Sequence, residues 1–346
     1  MLLKHYYSVV SDKFKIQLSD STEFPISEGQ TVLAAAQQAG VHLDFSCRDG
    51  RCGVCRVKVL AGSAVELNSP ESLNDQLRKD HQILTCCHGA ESDLSLEAEN
   101  LVQLEGIETK VLPCRIDSIE HLSTDVMKVV LRLPPNANFQ YLSGQYIDII
   151  GSAVRRSYSL ASAPKADEAK IELLIRHYSG GVMSQYWFEQ AKVNDLLRLE
   201  GPLGSFFLRD NDAKQLAFLA TGTGIAPVIA MVEELLESGR KNMFEKIVCY
   251  FGCRNKDELF FDSKEFFKGA IEFVPVFSRE APAGAHKGYV QQALVEEFQS
   301  VDGLSVYACG SPEMIQDART LLAANGLQEN RFYSDAFLAS VNLING

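Results

Sequence analysis

Cys47-Arg48-Asp49-Gly50-Arg51-Cys52-Gly53-Val54-Cys55 sets three cysteines in a C-x4-C-x2-C pattern, and thirty residues separate Cys55 from the adjacent pair Cys86-Cys87. This is the ligand spacing of a plant-type [2Fe–2S] cluster. A loop that closes on four thiolates must bend sharply and aim backbone N–H groups at the sulfurs. Gly50 and Gly53 permit that close approach. The N–H groups, with the neighbouring Arg48 and Arg51, are expected to offset the cluster's negative charge. A zinc ribbon would show two C-x2-C pairs, and only Cys52–Cys55 is present. Spacing alone leaves the fourth ligand between Cys86 and Cys87. We take Cys86, which follows the strand-like Gln82-Ile83-Leu84-Thr85; Cys87 is then expected on the opposite side of that strand.

The remaining cysteines read differently. Cys114, Cys249 and Cys253 lie in strand-like runs and are expected to be small buried residues. Nine cysteines, an odd number unevenly spread, disfavour a secreted disulfide framework and favour reduced cytoplasmic thiols or metal ligands. The stretch Met1 to Val10 carries Lys4 and His5 and lacks an apolar core, so a secretory signal is not expected.

The 346 residues include 46% hydrophobic and 23% charged side chains, with a net charge of −12. That composition is globular, and the length implies two or three domains. Its acidity is unsuited to general binding of nucleic acid or anionic membranes. The uncharged run 215–232 contains Gly222, Gly224 and Pro227. It falls short of a membrane span of about 20 apolar residues and reads as strand, glycine turn and helix start.

Three textures follow one another along the chain. Residues 1–100 mix β-type runs at 13–18 and 55–60 with a helix over 31–39 that stops at Gly40. A linker spans 101–111. Residues 112–210 are strand-rich, with runs at 113–119, 126–133, 146–150, 156–160, 171–177 and 196–200, which predicts an antiparallel barrel. Residues 211–346 alternate strand (215–220, 247–251, 271–277, 305–308) with helix (227–236, 291–298, 312–324), which predicts a parallel sheet with crossover helices.

Two motifs offer groups suited to a phosphorylated aromatic cofactor. In Arg156-Ser157-Tyr158-Ser159, an arginine suits a pyrophosphate, a tyrosine suits an aromatic ring, and a hydroxyl suits a ring nitrogen. Alternation sets Arg156 and Tyr158 on one side, Ser157 and Ser159 on the other. Gly180-Gly181-Val182-Met183-Ser184 is a glycine turn before a helix start, which offers free N–H groups to phosphate; Ser184 also suits an N-cap. Gly201-Pro202-Leu203-Gly204-Ser205-Phe206 reads as a structural turn.

Thr221-Gly222-Thr223-Gly224-Ile225-Ala226-Pro227 joins an apolar strand to a helix, the arrangement of a pyrophosphate site. Pro227 stands where a third glycine would complete the dinucleotide fingerprint. Cys309-Gly310-Ser311-Pro312 follows another buried strand. Arg254, the pair Ser278-Arg279, and Lys287-Gly288-Tyr289-Val290-Gln291 offer cations and an aromatic ring, which suit a phosphate dianion and a stacked base.

With these motifs in view, residues 1–100 resemble a plant-type ferredoxin domain and the remainder resembles the ferredoxin–NADP reductase module. The resemblance implies a β-grasp domain, a six-stranded antiparallel flavin-binding barrel and a doubly wound parallel-sheet nucleotide-binding domain. It implies FAD, expected over FMN from the domain order, and NAD(P)H, with NADPH favoured by the charge argument. It also implies hydride transfer beside Cys309 with Ser159 near flavin N5. A near-terminal aromatic, Phe337, covers the flavin face, and the tail after it must leave the site clear. Phe332 is expected to pack in the core. Phe332-Tyr333-Ser334-Asp335-Ala336-Phe337, with 307–312 and 139–146, is similar to one branch, the CDP-6-deoxy-Δ3,4-glucoseen reductases of 3,6-dideoxyhexose biosynthesis. That likeness implies a pyridoxamine-phosphate-dependent dehydrase as electron acceptor. Oxygenase reductase components share every cofactor motif, so an oxygenase partner is the alternative, and a zinc-stabilised non-enzymatic module a remote third. Asp44, Asp49 and Glu66 form an acidic face, read as solvated surface charge.

Overall fold

The computed structural model describes residues 12–151, 154–165 and 169–338. Met1 to Ser11 and the tail beyond Leu338 lie outside the described residues, and with them the expectations about a secretory signal and the course of the tail. The chain divides into two compact units, the first ending at Gly106 and the second beginning at Ile107. Among the described residues, no helix is long and apolar enough to cross a membrane.

The first unit is a β-grasp. Its sheet runs in the order Glu23–Ser27, Asp12–Leu18, Leu94–Glu97, Arg56–Ala61, Gln82–Leu84. Asp12–Leu18 is antiparallel to its hairpin partner and parallel to Leu94–Glu97. Glu23–Ser27 alternates exposed and buried positions, and Phe24 and Ile26 point into the core, as a half-buried strand requires. The helix Val32–Gln38 begins at Thr31, whose side chain accepts from the Ala34 N–H, and Gly40 follows it at φ +73°. Its Val32, Leu33, Ala35 and Ala36 are buried in one core with Ile16, Leu18 and Leu96.

The second unit opens with an antiparallel sheet in the order Arg155–Ser159, Tyr146–Ile150, Leu196–Leu203, Lys110–His121, Val126–Arg132, Lys170–Arg176. A bridge from Leu160 to Leu173 joins its two edges, so the sheet curls into a nearly closed barrel. Ile116, Val129, Leu131, Ile147, Ile149, Leu160 and Leu199 fill it.

A parallel sheet follows, in the order His286–Lys287, Glu272–Phe277, Lys246–Cys253, Gln215–Thr221, Leu304–Gly310, Phe332–Ala336. The chain lays strands outward on one side of Gln215–Thr221, then returns to lay Leu304–Gly310 on the other. The order therefore reverses between Gln215–Thr221 and Leu304–Gly310, and open α/β sheets bind ligands beyond such a reversal. Helices Ile225–Glu237, Val290–Glu297 and Pro312–Ala324 cover the faces. The last strand, Phe332–Ala336, is read from sequence only as an aromatic cluster. Its Ser334 and Asp335 are buried, and these polar residues hide a strand from a hydrophobicity pattern.

Candidate functional site

In the first unit the cysteine loop bends through three left-handed residues, Arg48, Gly50 and Gly53. Its backbone turns inward: the Cys52 N–H donates to Cys47 Sγ at 3.3 Å and the Val54 N–H to Cys52 Sγ at 3.5 Å. The four thiols meet two by two. Cys47 and Cys52 are hydrogen-bonded, and the Cys55 thiol donates to Cys86 Sγ at 3.2 Å. That shared hydrogen bond separates the second pair, with Cys55 pushed well up and Cys86 held down to about 6. Among the described residues no group of three or more His, Cys, Asp or Glu side chains is arranged around a single metal ion. Four soft thiols, paired two and two, fit a two-iron cluster in which each iron takes two of them.

Two expectations change here. The strand ends at Leu84, and the Cys87 N–H closes a turn on the Leu84 carbonyl at 2.9 Å. Cys87 therefore does not point away from Cys86; their sulfurs lie 3.5 Å apart. The arginines also have other partners. Arg51 donates from Nε to Asp49 at 2.8 Å, and Arg48 lies 4.5 Å over the Phe45 ring. Of the acidic face, Asp49 is thus paired within the loop and Glu66 pairs with Arg78 at 2.5 Å.

In the barrel, Arg156 and Tyr158 are half-buried, Ser157 is exposed and Ser159 is buried. Arg155 is tied to Asp148 and Glu200, whereas Arg156 meets no carboxylate among the described residues. Ser157 donates to Asp148 at 2.6 Å. Gly180 takes φ +76° and Gly181 precedes the helical turn Val182–Gln185. Ser184 is inside that turn, not at its cap, and its hydroxyl accepts from the Tyr178 N–H at 3.0 Å. Val182 is exposed and Met183 buried. Trp187 links the two segments: its Nε1 donates to the Tyr158 hydroxyl at 2.9 Å, with the rings edge to face.

The nucleotide residues gather at the carboxyl ends of the parallel strands. Gly222-Thr223-Gly224 form one tight turn between Gln215–Thr221 and Ile225–Glu237, and Pro227 is buried in that helix's first turn. A Cβ on Gly224 would stand 2.4 Å from the Cys309 carbonyl oxygen, and one on Gly310 2.1 Å from Thr221 Oγ1. Only glycine lets the two strand ends approach this closely. Phe337 is alongside, its N–H donating to the Gly310 carbonyl at 2.8 Å. Cys309 is fully buried, and burial pushes its thiol well above the usual range. No hydrogen bond joins Ser159 to Cys309 or Phe337 among the described residues.

Further along the same edge, Ser278 donates through its backbone to the Cys253 carbonyl at 2.9 Å. Arg279, Lys287 and Tyr289 are exposed. Arg254 differs: its guanidinium and its N–H both bind the Glu258 carboxylate. Arg176, at the end of a barrel strand, pairs with Asp125 at 2.9 Å, lies 3.8 Å from Glu258, and faces Gly222.

Three family models match the chain in turn: a 2Fe-2S iron-sulfur cluster binding domain at 16–91, an oxidoreductase FAD-binding domain at 113–208, and an oxidoreductase NAD-binding domain at 218–320. The chain is 41% identical to the CDP-6-deoxy-L-threo-D-glycero-4-hexulose-3-dehydrase reductase of Yersinia pestis, over 90% of this chain and 94% of that one. The chain belongs to the iron–sulfur flavoprotein reductases. It is also 32% identical to terephthalate 1,2-dioxygenase reductase component 1 of Comamonas sp, over 94% and 98% of the two chains. Among solved structures, a cytochrome P450 reductase from Amycolatopsis superposes with a TM-score of 0.69 at 26% identity, covering 94% of this chain and 99% of that one.

The protein is thus an oxidoreductase whose domains take a [2Fe–2S] cluster, FAD and NAD(P)H, and the zinc-module alternative falls. Three residues of this reductase escaped the sequence reading: Trp187, Arg176 and Glu258. Trp187, the chain's one tryptophan, carried a signal in its rarity. The other two are charges like many others until the fold brings them to the glycine turn.

Proposed function

We propose that this reductase serves the pyridoxamine-phosphate-dependent dehydrase acting on a CDP-4-keto-6-deoxyhexose. The observation that carries this reading is the 41% identity to a reductase named for such a dehydrase, against 32% to a dioxygenase reductase component. The proposal assigns the cluster to Cys47, Cys52, Cys55 and Cys86. It assigns FAD to Arg156–Ser159 and Gly181–Ser184, and the nicotinamide cofactor to 221–227 and Cys309-Gly310. When bound, the nicotinamide supplies electrons in pairs, the flavin accepts the pair, and the cluster delivers electrons singly to the acceptor.

The chain's own residues prepare this. Arg156, which meets no carboxylate among the described residues, offers its charge to a phosphate. Tyr158, held by Trp187, offers its ring to the flavin. The tight approach of Gly224 to the buried Cys309 would floor the nicotinamide site, and Phe337 would cover the flavin face until the nicotinamide enters. The proposal takes NADPH: Arg279 and Lys287 are exposed cations and Tyr289 an exposed ring, although Arg254 is already neutralised by Glu258. The nine cysteines form no disulfide, which suits a reducing cytoplasm, and the dehydrase reading places the enzyme in lipopolysaccharide sugar biosynthesis.

Anaerobic reconstitution with the purified dehydrase, its CDP-sugar and NAD(P)H tests the acceptor. The expected result is 3-deoxygenation. The similarity to the terephthalate dioxygenase component favours a second reading, in which the acceptor is an oxygenase. A reductase that leaves the CDP-sugar unchanged but drives a terminal oxygenase establishes that one.

A further inference from the structure

We propose that Cys87 is a redox-tuning residue of the iron–sulfur site, its thiol donating a hydrogen bond to the sulfur of Cys86 and raising the cluster's reduction potential. The proposal rests on the assignment of Cys47, Cys52, Cys55 and Cys86 as ligands.

Geometry carries it. The Cys87 sulfur stands 3.5 Å from Cys86 Sγ, nearer than its other acceptor, the Ser69 carbonyl at 3.8 Å. Its backbone is pinned on both sides. The Cys87 N–H binds the Leu84 carbonyl at 2.9 Å, and the Cys87 carbonyl accepts from the Leu67 and Asn68 N–H groups at 2.8 and 3.1 Å. The ligand loop lies directly on the sulfur, since a Cβ added to Gly50 would come within 2.8 Å of it. Cys87 is fully buried, so bulk water does not compete for its thiol. It is therefore a fixed S–H group wedged between the loop and Cys86.

Such a group has a definite effect on a bound cluster. Hydrogen bonds to the sulfurs are among the determinants of cluster potential. Reduction adds negative charge that the ligand sulfurs share, so a donor stabilises the reduced form more than the oxidised one. Cys47 and Cys52 receive backbone N–H groups, which substitution leaves in place. The Cys87 donor belongs to a side chain and can be removed.

The test uses the holoenzyme and the variants Cys87→Ala and Cys87→Ser, with iron and flavin content measured and the cluster titrated anaerobically by spectroelectrochemistry. Expected is full iron content in both. In Cys87→Ala the reduced-to-oxidised ratio at a fixed potential falls roughly tenfold, 59 mV for a one-electron couple. Cys87→Ser, which keeps a donor, lies between alanine and wild type. If Cys87→Ala loses flavin and iron together through misfolding, Cys87→Val, close in volume and without a donor, decides, and a potential equal to or above wild type in it overturns the proposal. Unchanged potentials with intact clusters overturn it too. So does iron lost from Cys87→Ala but kept in Cys86→Ala, which would make Cys87 the ligand. Wild-type protein that binds flavin but no two-iron cluster refutes the ligand assignment itself.

Discussion

The cysteine loop and the nucleotide edge, proposed here to hold the cluster and the nicotinamide cofactor, are built by opposite means. The loop is local: nine residues gather three thiols, and its own backbone N–H groups face the sulfurs at 3.3 and 3.5 Å. The nucleotide edge is assembled from the ends of strands far apart in sequence, and its turns close only because Gly224 and Gly310 leave no Cβ between Thr221 and Cys309. A locally built site tolerates changes elsewhere and fails outright when one ligand goes. An assembled site degrades in steps, because each strand end contributes part of the binding.

Substitutions can break that contrast, and Cys52→Ala carries the largest expected effect. Iron and the cluster's visible bands disappear, while NAD(P)H still bleaches the flavin in the other unit; loss of flavin reduction as well would show that the two sites are not separate. Gly224→Ala comes next. Its Cβ meets backbone that cannot yield cheaply, at a cost of about 1–3 kcal/mol. Thermal melting should show the destabilisation, and stopped-flow flavin reduction should slow, with the cluster spectrum unchanged.

Arg279→Ala sharpens the contrast within the assembled site. Removing one charge-assisted contact should weaken NADPH about tenfold and leave NADH nearly untouched; equal losses for both cofactors refute a 2′-phosphate contact. Glu258→Gln is the smallest. It frees the Arg254 guanidinium from its carboxylate partner and should raise the NADPH-to-NADH ratio of kcat/KM a few-fold, within the range of a partly exposed ion pair. A fall in that ratio would mean that Arg254 needs Glu258 to hold it in place.

Legibility followed the same division. The loop could be read from spacing because its chemistry lies within nine residues and two glycines. The helix over Val32–Gln38 was readable from Thr31 and Gly40, and the barrel and parallel sheet from strand rhythm. Cys87 was misread because a strand was extended through a turn, which reversed the side on which its sulfur lies. Arg254 was readable as a cation but not as a cation already paired, since Glu258 reaches it through the turn that follows Lys246–Cys253. Arg176 could not be found at all: it stands on a barrel strand, and only the fold brings it to Gly222.

The central claim is that electrons pass within one chain from NAD(P)H to flavin to cluster. Anaerobic titration of the holoenzyme with NADPH and then NADH, followed across the visible spectrum, tests it most directly. The account predicts that the flavin and cluster bands both bleach in wild-type protein without any added mediator. A cluster that stays oxidised while the flavin is fully bleached, yet accepts electrons from a chemical reductant, would contradict it.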